Sequence, residues 1–172
     1  EVMIFKLIII FLLIILIAIF INMVEDHENY RKISFKETMD LLNIPIITFV
    51  CNEKKLHFLL DSGSSYSHIS PEAVSYIGGK LENIGEDVQT VGAGGILNNN
   101  KHCILKLEYN KEFYDSDFIV TEQLAQQLEA IKRDFNIDIH GVLGGDFLSR
   151  YDYVMDFKEL VAYSKRKCKR TK

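Results

Sequence analysis

Asp61-Ser62-Gly63-Ser64-Ser65 sets one carboxylate among small hydroxyl side chains, directly after the apolar run Phe58-Leu59-Leu60. A carboxylate in such a loop can take a proton from water or hand one to a carbonyl oxygen, which is general acid–base chemistry. Leu56, Phe58 and Leu60 alternate as the inward face of a strand, so they decide where the strand stops and Asp61 begins. Gly63, with no Cβ, is expected to supply the positive φ of a tight reversal. Hydroxyls on either side can hydrogen-bond the carboxylate or the backbone of the turn. Taken alone, however, Asp, Ser and Gly are first of all the residues of an ordinary turn between two strands.

A second sign comes about eighty residues later, in Ile139-His140-Gly141-Val142-Leu143-Gly144-Gly145-Asp146-Phe147-Leu148. Together the two segments resemble the retropepsin-like aspartic proteases. That family pairs an apolar-apolar-Asp-Thr/Ser-Gly loop with a downstream apolar-apolar-Gly segment, a short helix and a closing strand. Val142-Leu143-Gly144 fills the second slot, Asp146 to Arg150 the helix and Tyr153 to Phe157 the strand. The resemblance covers residues 44–163. It implies a mostly β, single-domain fold with short helices, peptide or protein substrates, catalysis by Asp61, and no cofactor or metal.

The same resemblance gives further residues a role. Val91, Gly92, Ala93, Gly94 and Gly95 fall where a β-hairpin flap would cover the cleft, and glycines there let the backbone approach a substrate closely. A plain mobile loop is an equal alternative for this Gly-rich stretch, and a phosphate-gripping loop is a third view. No lysine follows it and Leu97-Asn98-Asn99-Asn100 does not open a helix, so that fingerprint fails. In the family the residue at Ser62 braces two loops across an axis, and the residue after the glycine, here Ser64, can hydrogen-bond the catalytic carboxylate.

Peptide hydrolysis of this kind uses two carboxylates sharing one proton across a water molecule. The chain has a single Asp-Thr/Ser-Gly triplet, since neither Asp146 nor Asp156 is followed by a hydroxyl residue and glycine. The second carboxylate is then expected from a second copy, in a two-fold homodimer. Two other readings stay open: a non-catalytic module of the same fold that binds an extended peptide along a strand edge, and a structural domain in which Asp61 is only a turn residue.

Around the loop, Ile44 to Cys51 and the run ending at Asp61 form an expected hairpin turned at Asn52 to Lys55, and Ser65 to Ile69 a short strand. Ser70 is placed to cap a helix with Pro71 at its first position, ended by Gly78-Gly79. Cys103, Leu105, Leu107 and Tyr109 mark one face of a half-buried strand, and Asn110-Lys111 turns it into Phe113 to Val120. Thr121 is expected to cap a helix running to about Phe135, with Leu124, Leu128 and Ile131 on its core side.

The front of the chain differs in kind. Leu7 to Val24 is almost wholly apolar, and 18 helical residues would span about 27 Å, close to the hydrocarbon thickness of a bilayer. No face of the run is polar, and Asn22-Met23-Val24 is no small-residue cleavage site, so an uncleaved single-pass transmembrane anchor is expected over residues 1–24. Lys6 on one flank and Arg31, Lys32 and Lys36 on the other leave its orientation open. Residues 25–43 then serve as a juxtamembrane spacer, 44–163 as the protease domain and 164–172 as a basic tail.

Net charge is −4 over 172 residues. Six cations lie in residues 165–172 and Glu1 cancels Lys6, which leaves −10 on residues 25–164. An acidic body argues against nucleic acid as a partner. Cys51, Cys103 and Cys168 have no paired spacing, and the five histidines no ligand spacing, so neither a disulfide framework nor a metal site is expected.

Overall fold

The computed structural model describes residues 6, 10–20, 30–80, 82–92 and 95–167. Residues 10–20 are helical (α1), and their large side chains are exposed, from Ile15 at 40 % to Phe20 at 67 %. Among the described residues no helix is long and apolar enough to cross a membrane. The remainder of the apolar run, residues 7–9 and 21–24, lies outside the described residues, as do Ala93, Gly94 and the end of the basic tail.

The body is a sheet that closes on itself. Its strands are β2 (Ile46–Cys51), β3 (Lys54–Leu60), β4 (His68–Ile69), β5 (Glu82–Gly92), β6 (Gly95–Tyr109), β7 (Glu112–Val120) and β8 (Gly141–Leu143). They lie in the order β2-β3-β8-β4-β7-β6-β5, and a further pairing of Val50 with Glu108 joins β2 to β6. Six strands therefore form a closed ring, with β5 added outside as the second arm of a hairpin. Two tight turns build much of it. Asn52 and Glu53 (φ 49° and 64°) and Asn110 and Lys111 (φ 51° and 66°) both take the left-handed pairs that match hairpin twist.

Inward residues alternate as expected: Leu56, Phe58 and Leu60 on β3, and Cys103, Leu105 and Leu107 on β6. Phe49 lies at the centre, with ring centroids 6.1 Å from Phe58, 5.6 Å from Tyr114 and 6.1 Å from Phe147. Each such buried side chain contributes roughly 1.5–3 kcal/mol by leaving water. Helix α3 (Pro71–Ile77) matches its sequence signals: the Ser70 hydroxyl accepts the Ala73 N–H, and Gly78 ends it at φ 67°. Helix α4 (Glu122–Phe135) lays Leu124 and Leu128 on Ile46, Ile139 and Val142, a second, smaller core. Thr121 precedes it without making a side-chain cap.

Residues assigned by sequence to a spacer take part in the fold. β1 (Tyr30–Ser34) pairs with β10 (Val161–Lys167), which pairs with β9 (Tyr153–Asp156), in a separate three-stranded sheet. Ile33 and Phe35 are fully buried in the main core. The Arg31 guanidinium sits 5.2 Å from the Tyr114 ring and bonds Glu112 at 3.2 Å. Helix α2 (Lys36–Leu42) follows and buries none of its residues. β10 likewise carries backbone pairing into the stretch read as tail, to Lys167.

Where the pairing of β3 with β8 begins, two histidines meet. The His57 N–H donates to His140 Nδ1 (3.1 Å), the His140 N–H donates to the His57 carbonyl (2.8 Å), and Ser70 N–H donates to the His140 carbonyl (3.0 Å). His57 Nδ1 also meets Thr48 Oγ1 at 2.8 Å. Burial pushes the pKa of both rings down, reinforced at His57 by Lys55 and at His140 by His57, while Asp138 opposes the shift in each.

Candidate active site

Strand β3 runs parallel to β8, with Phe58 opposite Gly141, Leu59 opposite Val142 and Leu60 opposite Leu143. The ladder continues one step: Asp61 N–H donates to the Leu143 carbonyl at 3.0 Å. Then the chain turns away, and Ser64 N–H donates back to the Asp61 carbonyl at 3.1 Å. The Asp61 side chain closes the same turn, its Oδ1 accepting the Gly63 N–H at 2.9 Å. Asp61 is exposed. Such a group is held in direction by one local bond and keeps acceptor sites for a proton or a water molecule.

Two expectations for this loop change. Gly63 does not take a positive φ; among the described glycines only Gly78 does. Its role is space, since a Cβ there would stand 3.1 Å from Asp61 Oδ1. Ser64 does not reach the carboxylate either: its hydroxyl donates to the Tyr66 carbonyl at 2.7 Å, which shapes the outgoing arm of the loop. Ser62 is exposed at the turn.

The outgoing arm rests on helix α5 (Gly145–Arg150), whose first N–H groups have no partners within the helix. Here the loop supplies them: Gly145 N–H donates to the Ser64 carbonyl at 2.7 Å, and Asp146 N–H to the Ser65 carbonyl at 3.2 Å. Such close approach needs glycine before the helix. A Cβ on Gly144 would lie 2.5 Å from the Tyr66 carbonyl oxygen and 2.8 Å from that of Ser64. Gly141 is similarly confined, 2.4 Å from the His68 carbonyl oxygen and 2.8 Å from the Phe58 ring. The Gly-rich run that follows β3's partner strand is thus a backbone-on-backbone contact.

Asp146 and Ser67 belong to this contact, and the sequence assigns neither of them a role in the site. The Asp146 carboxylate accepts the Ser67 N–H (3.0 Å), the Ser67 hydroxyl (2.7 Å) and the Phe147 N–H (2.7 Å). An aspartate in the first turn of a short helix after Gly-Gly was the available signal, but its partner lies 79 residues away. On the neighbouring β4, burial lowers the pKa of His68 while Asp146 pulls it the other way.

The hairpin expected at 89–96 is present as backbone: Gly92 pairs with Gly95, Val91 with Ile96 and Thr90 with Leu97. Ala93 and Gly94, at its tip, lie outside the described residues. Among the described residues no three His, Cys, Asp or Glu side chains group as a metal site.

Solved structures of similar fold include three that are each below 20 % identical to this chain. The EIAV protease complexed with the inhibitor HBY-793 is 18 % identical, with a TM-score of 0.45, covering 64 % of this chain and 90 % of its own. The retroviral protease-like domain of Ddi1 from Leishmania major is 13 % identical (TM-score 0.49; 72 % and 89 % covered). A retropepsin-like aspartic protease from Rickettsia conorii is 19 % identical (TM-score 0.47; 78 % and 90 % covered). The comparison with curated proteins returns no match. A family model described as aspartyl protease matches residues 47–147, a span that holds both the Asp61 turn and the Gly144–Phe147 contact beneath it. The chain belongs to the aspartyl protease family.

Proposed function

We propose that this chain is a membrane-anchored endopeptidase whose active site forms when two copies bring their Asp61 carboxylates together across a two-fold axis. The observation that carries the reading is the single Asp-Ser-Gly turn at the end of β3, whose carboxylate is oriented by Gly63 yet exposed on the isolated chain. One carboxylate of the pair acts as base on a bound water, and the other, protonated, donates to the scissile carbonyl oxygen. Two carboxylates that close cannot both ionise cheaply, so the pair titrates as a unit and activity peaks at mildly acidic pH. The β5–β6 hairpin is the candidate flap over an extended peptide, through Val91, Gly92, Ala93, Gly94 and Gly95. Ser62 and Ser64 shape the turn from which Asp61 projects.

The anchor is assigned to residues 7–24. Its support is the apolar sequence and the exposure of every side chain from Ile10 to Phe20, a surface that water solvates poorly. Tethering two copies in a plane raises their effective concentration, so the dimer can be intrinsically weak.

Concentration tests the pairing. Activity of residues 25–172 should rise faster than linearly with protein, and excess Asp61→Asn chain should poison the parent through heterodimers with one ionisable carboxylate. Linear activity without poisoning would mean that one chain suffices. For the anchor, the full chain should remain in the membrane fraction through a carbonate wash; a soluble product beginning near Glu25 would identify a cleaved leader.

A further inference from the structure

Ser67 is completely buried beside the Asp61 loop, and all its polar atoms are used. Its N–H and hydroxyl donate to the two oxygens of Asp146 at 3.0 and 2.7 Å, and its hydroxyl oxygen accepts the Gly144 N–H at 3.1 Å. The remaining bond to Asp146, from Phe147 N–H at 2.7 Å, fixes the carboxylate to its own helix. Ser67 thereby joins three things: the end of the Asp61 loop, the glycine that follows β8, and the first turn of α5.

We infer that Asp146, acting through Ser67, is a positioning residue for Asp61. The inference rests on the peptidase reading above. Between Asp61 and Ser67 the loop is held to α5 only by the carbonyls of Ser64 and Ser65. Without the Asp146 side-chain bonds the outgoing arm keeps those two backbone bonds to α5 and the Ile119 N–H bond to the Ser67 carbonyl, so it is held less tightly and the turn that aims the Asp61 carboxylate shifts with it. The geometry calls for a carboxylate. Three donors converge on its two oxygens, and no donor is needed from it. An amide at 146 has one acceptor oxygen, and its NH2 would oppose either the Ser67 N–H or the donors on the other side. Asp146→Asn therefore breaks at least one arm while keeping size. Ser67→Ala removes the hydroxyl and orphans the Gly144 N–H, whereas Ser67→Thr keeps the hydroxyl.

The test uses the full chain in anionic-lipid vesicles and a quenched-fluorescent peptide that the parent cleaves, with active dimers counted by titration with a pepstatin-type inhibitor. A displacement of about 1 Å in a reacting group costs on the order of 100-fold. Per titrated site, kcat of Asp146→Asn should fall roughly 10- to 100-fold with KM within about threefold of the parent. Ser67→Ala should fall in the same direction, Ser67→Thr should stay near the parent, and the double variant should lose no more than Asp146→Asn alone. A purely structural role predicts fewer titratable sites, each turning over at the parent rate, and that outcome overturns the inference. If Asp146→Asn does not fold, Ser67→Ala against Ser67→Thr decides by the same kcat criterion. A parent chain that cleaves no peptide and binds no such inhibitor refutes the peptidase reading and this inference with it; an active parent with unchanged kcat in the variants refutes this inference alone.

Discussion

The parallel strands β3 and β8 are finished differently at their two ends. At the Asp61 end the last ladder bond leads into a polar turn, tightened by glycines and open to solvent. At the opposite end His57 and His140 close the pair, each bonding the other through backbone or ring, with Tyr76 stacked on His140 at 5.9 Å. Both ends must satisfy backbone groups at the edge of a core. One does so with an exposed carboxyl side chain. The other does so with titratable rings whose charge is suppressed by burial. Exposure at one end is matched by closure at the other, and the same short ladder carries both.

The largest test of that contrast is Asp61→Asn. It keeps the bond from Gly63 N–H through the amide oxygen but removes the ionisable group, so peptidase activity should fall by about 10³-fold or more while thermal unfolding is nearly unchanged. A variant as active as the parent would strip the exposed end of its assigned role. Next comes Gly144→Ala, which forces a Cβ to within 2.5 Å of the Tyr66 carbonyl oxygen. Displacing backbone there should cost about 3 kcal/mol in a denaturant titration. A loss below half of that would show that the loop yields easily to the helix beneath it.

Smaller effects belong to the closed end. Ser70 caps α3 and its N–H donates to the His140 carbonyl, so Ser70→Ala should lower unfolding free energy by about 1 kcal/mol with kcat unaffected. His140→Asn gives the finest test. Both histidines have folded-state pKa values below the ordinary 6.5. The folded state then holds fewer protons than the unfolded one. Stability from the neutral rings is present above the unfolded value near 6.5, and it is lost as pH falls from there through the lower folded values. The asparagine oxygen replaces the Nδ1 acceptor without titrating, so its unfolding free energy should fall less steeply with acid than the parent's. Equal slopes would assign the acid sensitivity to other groups, His68 first among them.

Local patterns made one end of the ladder far more legible than the other parts that support it. Alternation on Leu56, Phe58 and Leu60, and Ser70-Pro71 with Gly78, act within a few positions, and the structure places them as read. What escaped was set by distant partners. Ile33 and Phe35 do alternate, but within a charged stretch; the strand that holds Ile33 exists because β10 pairs with it, Ile33 opposite Ala162. A strand's stability depends on its neighbours more than on its own residues. Gly63 was assigned the right requirement for smallness with the wrong cause, because crowding by its neighbour's carboxylate cannot be told from backbone freedom without coordinates.

The bond from Asp61 N–H to the Leu143 carbonyl also has a consequence in time. During synthesis the two residues emerge roughly 4 to 16 s apart, at 5–20 residues per second over the 82 positions between them. Until β8 and α5 have been made, the Asp61 loop has neither a ladder to continue nor a helix to rest on. Pairings that distant form slowly even in a finished chain, because the intervening loop must first be closed. Until then the turn has only its local bonds, from the Gly63 and Ser64 N–H groups to Asp61. Synthesis of β8 and α5 is the event that gives the turn its support.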